Sequence, residues 1–166
     1  MEAGLILASV LVAFATTTVL MVAFRPLSLA VGLVDAPGGR KLHKGHIPII
    51  GGLAMFAGIF AALTLLPYPA KFMHSIFLAS ALLVVVGVLD DRFHVPATAR
   101  IASQIVAVLL MVFGAGLQLS DIGSPFGTGI ISMGSFTLIF TMLVTLTMIN
   151  AYNLVDGADG LAGTLT

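Results

Sequence analysis

The stretch FMHSIFLASALLVVVGVLDDR, residues 72–92, decides the fold. Its apolar run, Phe72–Leu89, is interrupted only by His74, Ser75, Ser80 and Gly87. Such a run approaches the roughly 20 residues that cross a hydrocarbon core. Two aspartates and an arginine, Asp90-Asp91-Arg92, follow it directly. An ionisable group in a lipid-like chain is costly and is a functional candidate for that reason. Working outward, four more runs have spanning character: Gly4–Phe24, Ile47–Leu66, Ile101–Leu119 and Ile130–Ile149. These runs are too long and too continuous for barrel strands, so an all-α, polytopic transmembrane helix bundle of about five spans is predicted. Gly51, Gly52 and Gly58 would let helices approach closely, and the threonines of the fifth run can bond to helix carbonyls.

Composition agrees. The chain is 59% hydrophobic and 8% charged, with a mean hydropathy of +1.16. A soluble domain would carry about 25% charged residues. With no cysteine, disulfides and thiolate metal sites are excluded. The N-terminal run lacks the basic start and short core of a cleaved signal peptide and reads as a span. No repeat or linker divides the chain, so residues 1–166 read as a single integral membrane domain.

Charge sets the orientation. Loops after the first, third and fifth runs share one side and receive Arg25, Arg40, Lys41, Lys44, Arg92 and Arg100, leaving Lys71 for the other. The positive-inside rule makes the basic side cytoplasmic and the N-terminus external. Asp35, Asp90, Asp91, Asp156 and Asp159 fall on the same side, whereas Glu2 and Asp121 do not. A single site at the cytoplasmic surface is therefore geometrically possible.

Three clusters are candidates for it. Asp90 and Asp91 are consecutive, so on a helix they point about 100° apart. One could position a metal while the other meets a substrate. The plainer alternative is a solvated helix end with an ion pair to Arg92, but acids at a helix C-terminus oppose its dipole. Asn150, Asn153, Asp156 and Asp159 recur every three residues, which brings successive members together on a helix. Their oxygens are hard donors suited to Mg²⁺ or Mn²⁺. The alternative is a helix end followed by Asp-Gly turns. In the loop 40–46, Arg40, Lys41, His43, Lys44 and His46 read first as a topogenic basic loop, and secondly as a phosphate-binding one. His94 lies close to the acid pair, His74 lies near the opposite face, and Asp121 falls in an external turn with no assigned chemistry.

Asp90-Asp91-Arg92, the run Asn150-Ala151-Tyr152-Asn153-Leu154-Val155-Asp156-Gly157-Ala158-Asp159-Gly160-Leu161, and Arg40–His43 leading into Ile47–Gly52 together resemble the polyprenyl-phosphate N-acetylhexosamine-1-phosphate transferases. The resemblance runs from about Val31 to the end of the sequence. The arginine after the acid pair and the doubled asparagine look like the bacterial WecA-like branch, which makes undecaprenyl-diphosphate-GlcNAc, more than the MraY branch of peptidoglycan synthesis.

The resemblance implies transfer of N-acetylhexosamine-1-phosphate, GlcNAc-1-phosphate in that branch, from a UDP-N-acetylhexosamine to undecaprenyl phosphate. UMP is released, and a cell-envelope polysaccharide such as O-antigen is begun at the bacterial inner membrane. It implies Mg²⁺, with Mn²⁺ as the alternative ion. It puts Asp90 and Asp91 at the catalytic centre, as base or as nucleophile. Asn153 and Asp156 fall on the metal side, and Lys41, His43, Asn150, Asp156 and Asp159 on the substrates. A homodimer is compatible with this reading; a nucleic-acid partner is not expected. Such enzymes are about twice this length, and their later half supplies a further acid and a His-rich loop. The chain is therefore expected to be the N-terminal part of a longer enzyme, holding half a site and inactive alone. Competing readings are another Mg²⁺-dependent prenyl or lipid-phosphate enzyme, which would want richer Asp motifs, and a transporter, scaffold or truncated non-catalytic membrane protein. A transporter would place its acids at mid-membrane.

Overall fold

In a computed structural model, residues 2–32, 34–35, 47–48, 50–125, 127 and 129–155 are described. Among them the helices are α1 (Glu2–Val31), α2 (Gly51–Leu63), α3 (Ala70–Phe93), α4 (Ala97–Leu109) and α5 (Thr137–Val155). A π turn, Leu110–Gly114, prolongs α4, and a 3₁₀ turn, Gly134–Phe136, leads into α5. A two-residue antiparallel pairing, β1 (Val34–Asp35) with β2 (Ile47–Pro48), closes the base of the α1–α2 connection. The protein is an all-α bundle and a multi-pass membrane protein.

Four helical segments are long and apolar enough to cross a membrane: Ala3–Val31, Ala70–Phe93, Ala97–Gly114 and Gly134–Leu154. The second expected span is shorter. At ~1.5 Å per residue, the 13 residues of α2 rise about 20 Å, less than a hydrocarbon core of about 30 Å. Tight turns at Thr64–Leu66 lengthen it slightly. It still runs antiparallel along α1, with Ile50 beside Leu20, Phe24 and Leu27, and Gly58 against Ala13 and Thr17.

Packing is that of a membrane bundle. Buried apolar side chains among the described residues are mostly small: Ala54, Ala62, Ala79, Ala107, Val108 and Val112. Large ones face outward, Phe14, Phe113 and Leu154 among them. Lipid is as apolar as leucine, so burying large side chains gains little there, and small residues that bring backbones together hold the helices. A Cβ at Gly58 would run into the Thr17 side chain and the Ala13 carbonyl, and one at Gly114 into Ser75. Gly51 and Gly52, in contrast, face open space.

Several helix ends depart from the hydropathy reading. α1 continues through Pro26; spanning helices tolerate proline where neighbouring groups re-satisfy the backbone it frees. α3 continues through Asp90 and Asp91 to Phe93 and stops where His94 turns left-handed (φ 54°), its N–H still bonded to the Asp90 carbonyl at 2.9 Å. α4 begins at Ala97, earlier than expected, and its π turn ends before Gly116, which also takes positive φ. The α5 helix starts later, because residues before it fold into a loop with an Asp121–Ser132 bridge.

Candidate active site

The helices alternate direction, so the C-terminal ends of α1, α3 and α5 meet the N-terminal end of α4. Arg92 shows it for α1: its Nη1 donates to the carbonyls of Val31 at 3.1 Å and Gly32 at 3.3 Å. Those are carbonyls a helix end leaves without partners, and a cation there also complements the dipole. The guanidinium lies over the Phe93 ring as well, 5.5 Å from its centroid. Arg92 thus ties α3 to α1.

Asp90 turns to α4. Its Oδ2 accepts from Arg100 Nη1 at 2.9 Å, with the side chains 22% and 40% exposed respectively. Asp90 sits in the last turn of α3 and Arg100 in the first turn of α4, so each opposes the dipole of its own helix. Each is answered by the other across the corner at Pro96. Asp91, beside it on α3, is exposed.

On α5, Asn150 and Asn153 lie within the helix, at the same end of the bundle. Asn150 Nδ2 donates to Gln104 Oε1 on α4 at 2.9 Å and to its own helix's Leu146 carbonyl at 2.8 Å. Both protons of that amide are committed, which leaves Oδ1 as the group it can offer a ligand. Gln104 is only 6% exposed. The two amides line a groove of about 440 Å³ with Ile101, Leu146, Thr147 and Leu154.

The structure therefore gathers Asp90, Asp91, Asn150 and Asn153 at one end of the bundle, with Arg25, Arg92 and Arg100. Lys71, His74 and Asp121 lie at the opposite end. There Asp121 accepts from the Gly123 N–H and the Ser120 hydroxyl, both at 3.1 Å, as a local turn does. His94 lies on the site's side, where its backbone ends α3. Lys41, His43, Asp156 and Asp159 lie outside the described residues. Two residues that carry no motif, Arg100 and Gln104, complete the polar end. The one signal for them in the sequence was their spacing of four on a single helix.

As a metal cradle the described part is incomplete: no three His, Cys, Asp or Glu residues gather among the described residues. Its donors are nonetheless of the right kind, since carboxylate and amide oxygens at a wet helix end suit a hard divalent cation.

Comparison with known proteins bears on these same residues. The model of the family described as glycosyl transferase family 4 matches residues 73–166, a stretch that includes Asp90, Asp91, Asn150 and Asn153. An undecaprenyl-phosphate alpha-N-acetylglucosaminyl 1-phosphate transferase of Escherichia coli K12 is 40% identical over 155 residues, which cover 92% of this chain and 42% of that protein. The proteins of the same name from Yersinia pestis and Salmonella typhimurium are 37% and 36% identical, over 86% and 92% of this chain. The chain spans about two fifths of the length of these curated relatives, 39% to 42%. No solved structure matches it.

Proposed function

The chain belongs to glycosyl transferase family 4, and from that premise we propose that it carries part of the site of a membrane phosphotransferase. The reaction moves GlcNAc-1-phosphate from UDP-GlcNAc to undecaprenyl phosphate. An oxygen of the lipid phosphate attacks the sugar-bearing phosphorus of the donor. The bond from that phosphorus to the bridging oxygen breaks, and UMP leaves with the electron pair. The product is undecaprenyl-diphosphate-GlcNAc. The names of the relatives supply the sugar and the lipid; UDP as the donor's carrier follows from the sequence resemblance.

One observation carries this reading: the acid pair of α3 and the asparagines of α5 end at the same face of one bundle. A lipid phosphate is held at the membrane surface and a nucleotide sugar arrives from water, so their reaction belongs at such a face. Arg25, Arg92 and Arg100 sit at that end and Lys71 at the other, which supports a cytoplasmic orientation. The acceptor phosphate is largely ionised at neutral pH and needs no strong base. This favours direct displacement, with Asp90 and Asp91 at the reacting centre. Asn150 and Asn153 bear on the donor and the cation, and the sequence resemblance gives Asp156 and Asp159 the same task. Lys41 and His43 hold phosphate. Mg²⁺ is the cation that oxygen donors of this kind fit, and it would offset the charge of the diphosphate. Its holders would be Asn153 and Asp156.

The test is transfer of labelled GlcNAc-1-phosphate from UDP-GlcNAc to undecaprenyl phosphate. Membranes would come from a host without its own such enzyme, expressing the full reading frame that contains this chain. Lipid-linked product that disappears with chelator and returns with Mg²⁺ is the expected result. Absence of product from a well-inserted protein refutes the proposal.

A further inference from the structure

Arg100 and Gln104 stand one turn apart on α4, so their side chains leave the same face. Each reaches a different neighbour. Arg100 bonds Asp90 on α3 at 2.9 Å, and Gln104 accepts from Asn150 on α5, also at 2.9 Å. The helix between the two motif-bearing helices thus holds one residue of each motif.

The chemistry of this arrangement does not look like a device for stability. Gln104 is 6% exposed, and a buried amide costs about 1–3 kcal/mol unless its bonds are made. A methionine of similar volume would fill the place without that liability. Hydrogen bonds between membrane helices average only about 0.6 kcal/mol. The Arg100–Asp90 pair is partly exposed and contributes little to folding for the same kind of reason. Both bonds do have a strong directional consequence. They fix how far the end of α3 stands from the end of α5, and how each is rotated about its axis. Arg100 is also anchored by its backbone, its N–H bonding the Pro96 carbonyl at 3.2 Å at the start of α4.

We propose that Arg100 and Gln104 are positioning residues for the transfer reaction, a polar bridge that sets the acid pair of α3 against the asparagines of α5. The inference rests on the transferase reading of the site. It adds two residues to it, and Gln104 makes α4 a working part of the site in addition to a span.

The experiment uses the full-length protein with Gln104→Met and Arg100→Met, and the conservative variants Gln104→Glu and Arg100→Lys. A buried glutamic acid can stay protonated and keep its carbonyl as acceptor, and lysine keeps the charge. Turnover, KM for UDP-GlcNAc and thermal stability in detergent are measured together. A displacement of about 1 Å costs on the order of 100-fold in rate, so each Met variant is expected to lose roughly 10–100-fold in kcat, with KM within about threefold. Melting temperature should stay close to that of the parent, and the conservative variants should recover much of the loss. A second readout is independent of activity. The chain has no cysteine, so spin labels at Phe93→Cys and Leu154→Cys, both exposed positions, report the distance between the ends of α3 and α5. That distance should shift or broaden in the Met variants. Unchanged distances, unchanged kcat, or a kcat loss that merely follows the loss of folded protein would overturn the inference. A parent protein that transfers nothing would instead overturn the transferase reading, and the distances would still judge the bridge.

Discussion

Replacing Asp90 by asparagine separates chemistry from folding, because the structure bounds the folding part. The carboxylate is 22% exposed and its partner Arg100 40% exposed. Pairs that wet contribute about 0–1 kcal/mol. Asparagine keeps an oxygen that can accept from Arg100, so part of even that is retained. In the opposite direction, removing a negative charge from the last turn of α3 relieves an unfavourable dipole interaction of roughly 0.3–1 kcal/mol. The two contributions oppose, and the net change in stability is expected to stay within about 1 kcal/mol. A carboxylate at the reacting centre is a different matter. Its loss is expected to lower kcat by about 100-fold or more, equivalent to roughly 2.7 kcal/mol of transition-state stabilisation. The assay is GlcNAc-1-phosphate transfer in membranes with Asp90→Asn and parent full-length protein at matched, inserted levels, alongside detergent melting curves. Turnover within about threefold of the parent at equal stability would remove Asp90 from the reacting centre.

Two further perturbations test the bundle itself. Gly58→Ala should destabilise the protein by roughly 1–3 kcal/mol relative to Gly52→Ala, because its methyl meets the Ala13 carbonyl and the Thr17 side chain whereas that of residue 52 meets open space; equal melting temperatures for the two variants would contradict the close α1–α2 approach. Thr141 is 1% exposed, accepts from the Leu119 N–H at 2.9 Å and donates to the Thr137 carbonyl at 2.7 Å. Thr141→Val therefore should cost about 0.5–1.5 kcal/mol by removing the acceptor of the Leu119 N–H, while Thr141→Ser keeps the bonds and turnover per folded molecule stays unchanged in both; Thr141→Val as stable as Thr141→Ser would show that the bond is not needed.

Hydropathy located the helices but not their ends, and it overstated the second, whose 13 residues are too few to span; the reason is physical. It measures how readily side chains enter lipid, whereas a helix is continued by backbone bonds. Asp90 to Phe93 continue α3 despite their charges, and the helix stops only where His94 turns left-handed. Ile130 is apolar enough to open a span, yet Gly129 (φ 117°) and Gly134 (φ 48°) hold the chain in a loop until Thr137. The candidate site was legible where polar residues recur, as in the acid pair and the asparagines at spacing three. It was not legible at Arg100, which reads as one more topogenic charge, or at Gln104, a lone amide in an apolar helix. Their meaning depends on which side chains α3 and α5 present to α4, and that is fixed by helix packing.

Two kinds of adhesion follow from this arrangement, and they are not interchangeable. Along the body of the bundle, backbones meet through glycine, alanine and small hydroxyl residues: Gly58 on Thr17, Gly114 on Ser75, Ala54, Ala79 and Ala107 in the interior. At the candidate site the ties are polar instead, from Arg92 to the end of α1, from Arg100 to Asp90 and from Asn150 to Gln104. Close apolar packing would shut water out of that end, and with it the charged nucleotide sugar proposed as donor. Directional bonds hold helix ends at a set spacing while leaving carboxylate and amide oxygens exposed between them. They are also weak enough, at about 0–1 kcal/mol each, that removing one is expected to leave the fold standing. A site at the membrane surface can therefore be precise without being closed, provided that precision resides in side-chain bonds such as those of Arg100 and Gln104.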